Sequence, residues 1–136
     1  MGFEPPAHGL VVRQPWAGFI AAGQKTWEIR GRPTNIRGWI AVIAQGTGSI
    51  VGVCRLHSVV GPLSLAQYQA GVGTHCSPQE DLTRLPYDRT YAWCLQDARS
   101  VSPIAYAHPR GAVTWVRLAP ETRSALAKAA GEPHSM

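Results

Sequence analysis

The sequence predicts a mainly β protein with short helices (α+β). It reads as a small, mostly antiparallel β-barrel with its first helix between strands 1 and 2. Three observations carry this. Runs of apolar and β-branched residues recur along the chain, parted by turns that draw on 14 glycines and 11 prolines. Helical spacing is confined to short stretches. The order is strand, helix, then several strands with one more short helix, and it lacks the βαβ alternation of a parallel sheet.

Residues 1–8 are polar and Pro-containing, and read as a flexible N-terminal tail. Gly9 to Gln14 forms a first strand of β-branched and apolar residues. Pro15 suits the first turn of a helix, where its missing N–H costs nothing. Trp16, Phe19 and Ile20 follow at three- and four-residue spacing, and Gly23 is placed to stop the helix. Lys25 to Arg30 alternates as a strand does, with Trp27 and Ile29 on one face and Thr26, Glu28 and Arg30 on the other. Gly38 to Ala44 is nearly all apolar, as in a strand buried on both faces. Ile50 to Val60 is the longest strand candidate, with Gly52 allowing a bulge or a close backbone approach. Leu63 to Ala70 reads as a short helix, and Gly71 to Pro86 as a loop. Thr90 to Leu95 forms another strand, Asp97 to Pro103 a connection, and Ile104 to His108 and Ala112 to Leu118 two final strands. These fall in one domain over 9–118. Residues 119–136 are an Ala-rich tail, helical to about Ala130, with Leu126 as its one large apolar residue and so little to pack with.

Hydrophobic residues make up 45% of the 136 and charged residues 15%, which excludes a disordered chain. The uncharged run from Gln14 to Gln24 is too short to span a bilayer, and no membrane partner is expected. Residues 1–9 lack the apolar segment of a signal peptide. With three widely spaced cysteines, the expectation is a cytoplasmic protein with reduced thiols. The five histidines and three cysteines offer no ligand spacing beyond adjacent His75-Cys76, so no metal is expected. Phosphate-binding and dinucleotide glycine motifs are missing too, and no cofactor is expected. The net charge of +5 is uneven: residues 1–60 carry six bases against two acids. That fits either a phosphate-bearing partner or a solvated basic face.

The chemistry concentrates in Gly23 to Arg30, with Gln14-Pro15-Trp16 just before it. A strictly pleated strand sends Lys25 and Glu28 to opposite faces, so they converge only if Lys25 belongs to the turn. If they meet, each stabilises the other's charge, and the lysine becomes a base or an anion anchor. If not, Lys25 is a surface residue beside a structural Glu28–Arg30 pair. Trp16, at a strand-to-helix corner, is placed to stack on a base. Gln14 either reads a base edge or caps backbone groups. Arg13, Arg32 and Arg37 either meet phosphate or are solvated. Trp27, Trp39 and Trp115 read as core residues, and Cys54 and Cys94 as inert core thiols.

Arg13-Gln14-Pro15-Trp16-Ala17 followed by Gly23-x-Lys25-Thr26-x-Glu28-x-Arg30 closely resembles the signature of ASCH domains, members of the PUA-like superfamily of small β-barrels. The resemblance continues through Gly38 to Val42, Gly52-Val53-Cys54, Tyr91-Ala92-Trp93 and Gly111 to Trp115, and covers about residues 9–118. It implies a cleft lined by the first helix and the following strand, and binding of RNA or of a modified nucleobase or nucleoside. Arg13, Gln14, Pro15, Trp16, Lys25, Glu28 and Arg30 would meet the ligand. Some ASCH proteins hydrolyse the acetyl amide of N4-acetylcytidine with a lysine, a threonine and a glutamate. Lys25 matches that lysine, Glu28 stands where the threonine would be, and Glu80 is the nearest acid for the glutamate. The alternatives to a binding module are therefore a small amidohydrolase using Lys25 and Glu28, and a protein-interaction domain with a basic face.

Overall fold

The structure, a computed structural model, describes residues 3–130, and of Gln79 and Glu80 it describes the backbone alone. Six strands are β1 (His8–Val12), β2 (Trp27–Arg30), β3 (Gly38–Ala44), β4 (Ser49–Val60), β5 (Tyr91–Ala105) and β6 (Trp115–Arg117). Four short helices are α1 (Trp16–Ala21), α2 (Leu65–Ala70), α3 (Val72–His75) and α4 (Pro120–Ala130), and a 3-10 turn spans Gln79–Thr83. The strands form one mixed sheet in the order β2–β5–β4–β3–β1–β6, curled into a half-barrel. β1 and β3 run parallel, and the other neighbouring pairs are antiparallel.

The two-residue period of the strands builds a core on each side of the sheet. Leu10, Val12, Ile40 and Val42 face one side, where Ala17 and Ile20 of α1 cover them. Val11, Ala41 and Ile43 face the other, against Val116, Leu126 and Ala130. This explains the unbroken apolar run of β3, which has no solvent face. Gly52 lets α1 lie close on β4. A Cβ there would stand 2.7 Å from that of Ala21 and 2.9 Å from the Arg99 carbonyl oxygen.

Three expectations change. Asp97 to Pro103 continues β5 rather than connecting two strands, because the long β4 supplies it a partner through three register shifts. Of the two final strands expected, the first ends with Ile104 and Ala105 as part of β5, where the His108 ring bonds to Tyr106 and to the Ala112 carbonyl instead of extending a ladder, and the second shortens to β6. The α4 helix packs more firmly than its composition suggests. Thr122, Leu126 and Ala130 make a buried stripe at four-residue spacing, and the small residues let the helix lie close on the sheet. Phe3 also packs, edge-on to Trp39 with ring centroids 4.8 Å apart.

Candidate functional site

The turn after α1 decides the site. Gly23 adopts φ +80°, and the Gln24 and Lys25 amides both donate to the Phe19 carbonyl, at 2.9 and 3.1 Å. Lys25 therefore belongs to the connector, and the pleat begins only at Trp27. Freed from strand parity, Lys25 turns toward Glu28, with Nζ 3.6 Å from Oε1. Glu28 Oε2 accepts from Arg30 Nε at 2.8 Å, and Arg30 Nη2 lies 2.8 Å from the same oxygen. Nη2 also donates to the Val11 carbonyl at 2.8 Å, and the guanidinium lies 5.5 Å from the Trp93 ring centre. The result is one carboxylate held between two cations, tied across the gap between β2 and β1.

This array is buried: the Lys25 and Glu28 side chains are 3% and 10% exposed. Burial pushes the Lys25 ammonium below the ordinary lysine range, and the facing Glu28 carboxylate offsets part of that shift. Lys25 Nζ also donates to the His75 carbonyl at 2.6 Å. The His75 ring is itself fully buried and stacks on Tyr68 with centroids 4.4 Å apart.

A cleft of about 1080 Å³ opens beside these groups. Arg13, Trp16, Lys25, Glu28 and Arg30 line it, so five of the seven expected ligand-facing residues come together. Gln14 and Pro15 are not part of the lining. The Gln14 amide oxygen instead accepts the Gly18 N–H at 3.2 Å, tying down the first turn of α1. Arg32 and Arg37 also stand apart, and the Arg37 guanidinium bonds to the carbonyls of Thr34 and Ile36 at 2.7 and 2.8 Å. Cys54 is buried, and desolvation pushes its thiol up to about 12, so it is inert. The Glu80 side chain lies outside the described residues.

The opposite wall was hidden in the sequence. Ser77, Asp81, Thr83, Arg84, Tyr87 and Asp88 all face the cleft, from a segment that reads as a bare loop. Among the bonds that hold it, Gln69 Nε2 donates to the Leu82 carbonyl at 2.7 Å and Thr90 Oγ1 to the Tyr87 carbonyl at 3.1 Å. Leu82 and Leu85 pack against the small cluster of Leu63, Tyr68 and Ala92. These two leucines in a polar stretch were the available signal. Arg13, Lys25, Arg30 and Arg84 line the cleft against Glu28, Asp81 and Asp88, so its walls are of mixed sign rather than basic. Among the described residues no three His, Cys, Asp or Glu side chains gather as a metal site would need, and no helix is long and apolar enough to cross a membrane.

A PUA-like half-barrel with a charged cleft at the end of its first helix defines the class. The ASCH domain family model matches residues 10–105, well over half of the chain, and the chain belongs to the ASCH family. The fold is similar to the crystal structure of ASCH from Zymomonas mobilis, with a TM-score of 0.68 and 17% identity over 89% of this chain and 93% of that one. A tyrosine-to-phenylalanine mutant of the same protein gives 0.68 and 20% over 89% and 96%. A serine-to-alanine mutant gives 0.68 and 19% over 94% and 98%. No curated protein matches the sequence.

Proposed function

We propose that the cleft binds a nucleobase, as a modified nucleoside or within single-stranded RNA. One observation carries this reading: a buried Lys25–Glu28 pair, joined by the part-buried Arg30, faces a cleft of about 1080 Å³ that Trp16 also lines. An ammonium kept from water weakens the fold unless something is gained, and such groups gather at functional sites. The volume lies just above the roughly 300–1,000 Å³ common for small-molecule sites, which leaves room for a nucleoside. Lys25 supplies a donor and Glu28 an acceptor 3.6 Å apart, which suits the paired donor and acceptor of a base edge. Trp16 offers a stacking face, and Arg13 and Arg84 offer phosphate contacts.

A second reading is hydrolysis of an acyl amide on such a nucleoside, water and amide giving amine and acetate for an N4-acetylcytidine-type substrate. It is favoured by the burial of Lys25, which brings the amine nearer the range where it serves as a base, with Glu28 placed to pass the proton.

The test is titration with nucleosides and RNA oligonucleotides at several salt concentrations, on wild type and Lys25→Met. Binding abolished by the substitution supports the site. A steep salt dependence assigns phosphate contacts, since these release counterions. Turnover of N4-acetylcytidine moves the assignment to the hydrolase. Binding indifferent to Lys25→Met, or no binding of either ligand class, overturns the reading.

A further inference from the structure

His75 does two things at once. Its backbone carbonyl accepts the Lys25 ammonium at 2.6 Å, and its buried ring is fixed at both nitrogens. The Ser77 amide donates to Nδ1 at 3.1 Å, so Nδ1 carries a lone pair. Nε2 then carries the proton and donates to the Tyr68 carbonyl at 2.7 Å. Both bonds are satisfied together only by the neutral ring in this one tautomer. Ring and carbonyl belong to one residue, and the next, Cys76, turns the chain at φ +60°. The Ser77 N–H bond to the ring closes over Cys76 and so ties the ring to the peptide that carries the carbonyl.

We infer that His75 is a positioning residue for Lys25, and that its neutral ring is a latch which acid opens. A proton on Nδ1 would face the Ser77 N–H, donor against donor, and would bring a second positive charge toward Lys25. Among the described residues Lys25, from the α1–β2 connector, is the charged group whose field reaches the ring. Tyr68 stacks on it from α2, Cys76 adjoins it, and Glu28 and Arg30 stand beyond Lys25. Burial and Lys25 both hold the ring below the ordinary histidine value, with the Tyr68 bond opposing them. The latch is thus closed at neutral pH. Opening it frees the Lys25 ammonium from one of its two partners and loosens the 75–78 turn at the cleft.

The latch rests on the reading of Lys25 as the anchor of the cleft, but its test needs no ligand. The ¹⁵N-labelled protein is followed by NMR from about pH 8 to about pH 5, across the ordinary histidine range. The expected result is one shared midpoint for the His75 ring nitrogens, the Lys25 Nζ shift and the loss of Ser77 amide protection. In His75→Asn, which keeps an acceptor near the Ser77 amide and takes up no proton, the Lys25 and Ser77 changes disappear. The latch is overturned if the ring titrates while Lys25 and Ser77 stay still, or if the ring first titrates on global unfolding. It is equally overturned if the asparagine variant keeps the acid transition. The wild-type measurement decides the question even where that variant fails to fold. Coupled titration without nucleoside binding removes the proposed ligand and leaves the latch. Binding that persists with His75 protonated removes the latch and leaves the ligand.

Discussion

The two walls of the cleft are built on different physics. One is β2, whose residues are paired with β5 from Trp27↔Cys94 to Arg30↔Tyr91, so its charges are fixed by a ladder. The other is the 77–88 segment, held by a handful of side-chain bonds and two leucines. The first wall holds Glu28 and Arg30 at the cleft, and the second adds Asp81, Arg84 and Asp88 to it. The second sets the shape of the opening, and it can change without unfolding the sheet.

The largest expected effect comes from cutting the ladder wall at its carboxylate. Glu28→Ala leaves the buried Lys25 and the part-buried Arg30 without a counter-charge, and urea denaturation should show a loss of about 3–5 kcal/mol. Lys25→Met is the contrast, because the Glu28–Arg30 pair survives it and a desolvated ammonium is removed. Its unfolding midpoint should equal or exceed that of wild type while ligand binding disappears. A midpoint that falls as far as in Glu28→Ala would make the ammonium structural and erase the distinction between the walls.

The join between the walls comes next. A Cβ on Gly71 would stand 2.6 Å from Cζ3 of Trp27, so Gly71→Ala should cost about 1–3 kcal/mol by overpacking. Hydrogen exchange should show the 71–88 segment losing protection before β2 does. A smaller effect follows pH. The folded value of His75 is depressed, so its contribution is complete above the unfolded value near about 6.5 and is lost as pH falls through the folded one. Acid should therefore weaken wild type more than His75→Asn in matched denaturation curves. The smallest effect belongs to Tyr87→Ala. Tyr87 is 47% exposed, so stability should stay within about 0.5 kcal/mol, with the change confined to ligand preference.

How legible this was depends on where each residue takes its orders. β3 and the start of β5 could be read from their apolar runs because burial on both faces writes itself into composition. The meeting of Lys25 with Glu28 could be posed as a question of parity, and Gly23 answered it by ending α1 before the strand began. The second wall could not be read. Its residues have no period, and the Gln69 bond to Leu82 and the packing of Leu82 and Leu85 on Leu63, Tyr68 and Ala92 reach beyond a local window. Gln14 misled for a related reason: an amide can meet a ligand or its own helix, and only the fold decides which. In α4 the stripe of Thr122, Leu126 and Ala130 was present, but its small members say nothing without the sheet beside them.

The register of β1 has a consequence for how the chain is made. Gly9 sits between Ala41 of β3 and Val116 of β6, so the first strand finishes its hydrogen bonding with the described strand that is translated after all the others. A ribosome must deliver nearly all of the described chain before that edge is covered. Until then the Val11 carbonyl that receives Arg30 lies on a strand whose outer neighbour is still missing. Translation that stops short of β6 should leave a nascent sheet open to pairing with other chains.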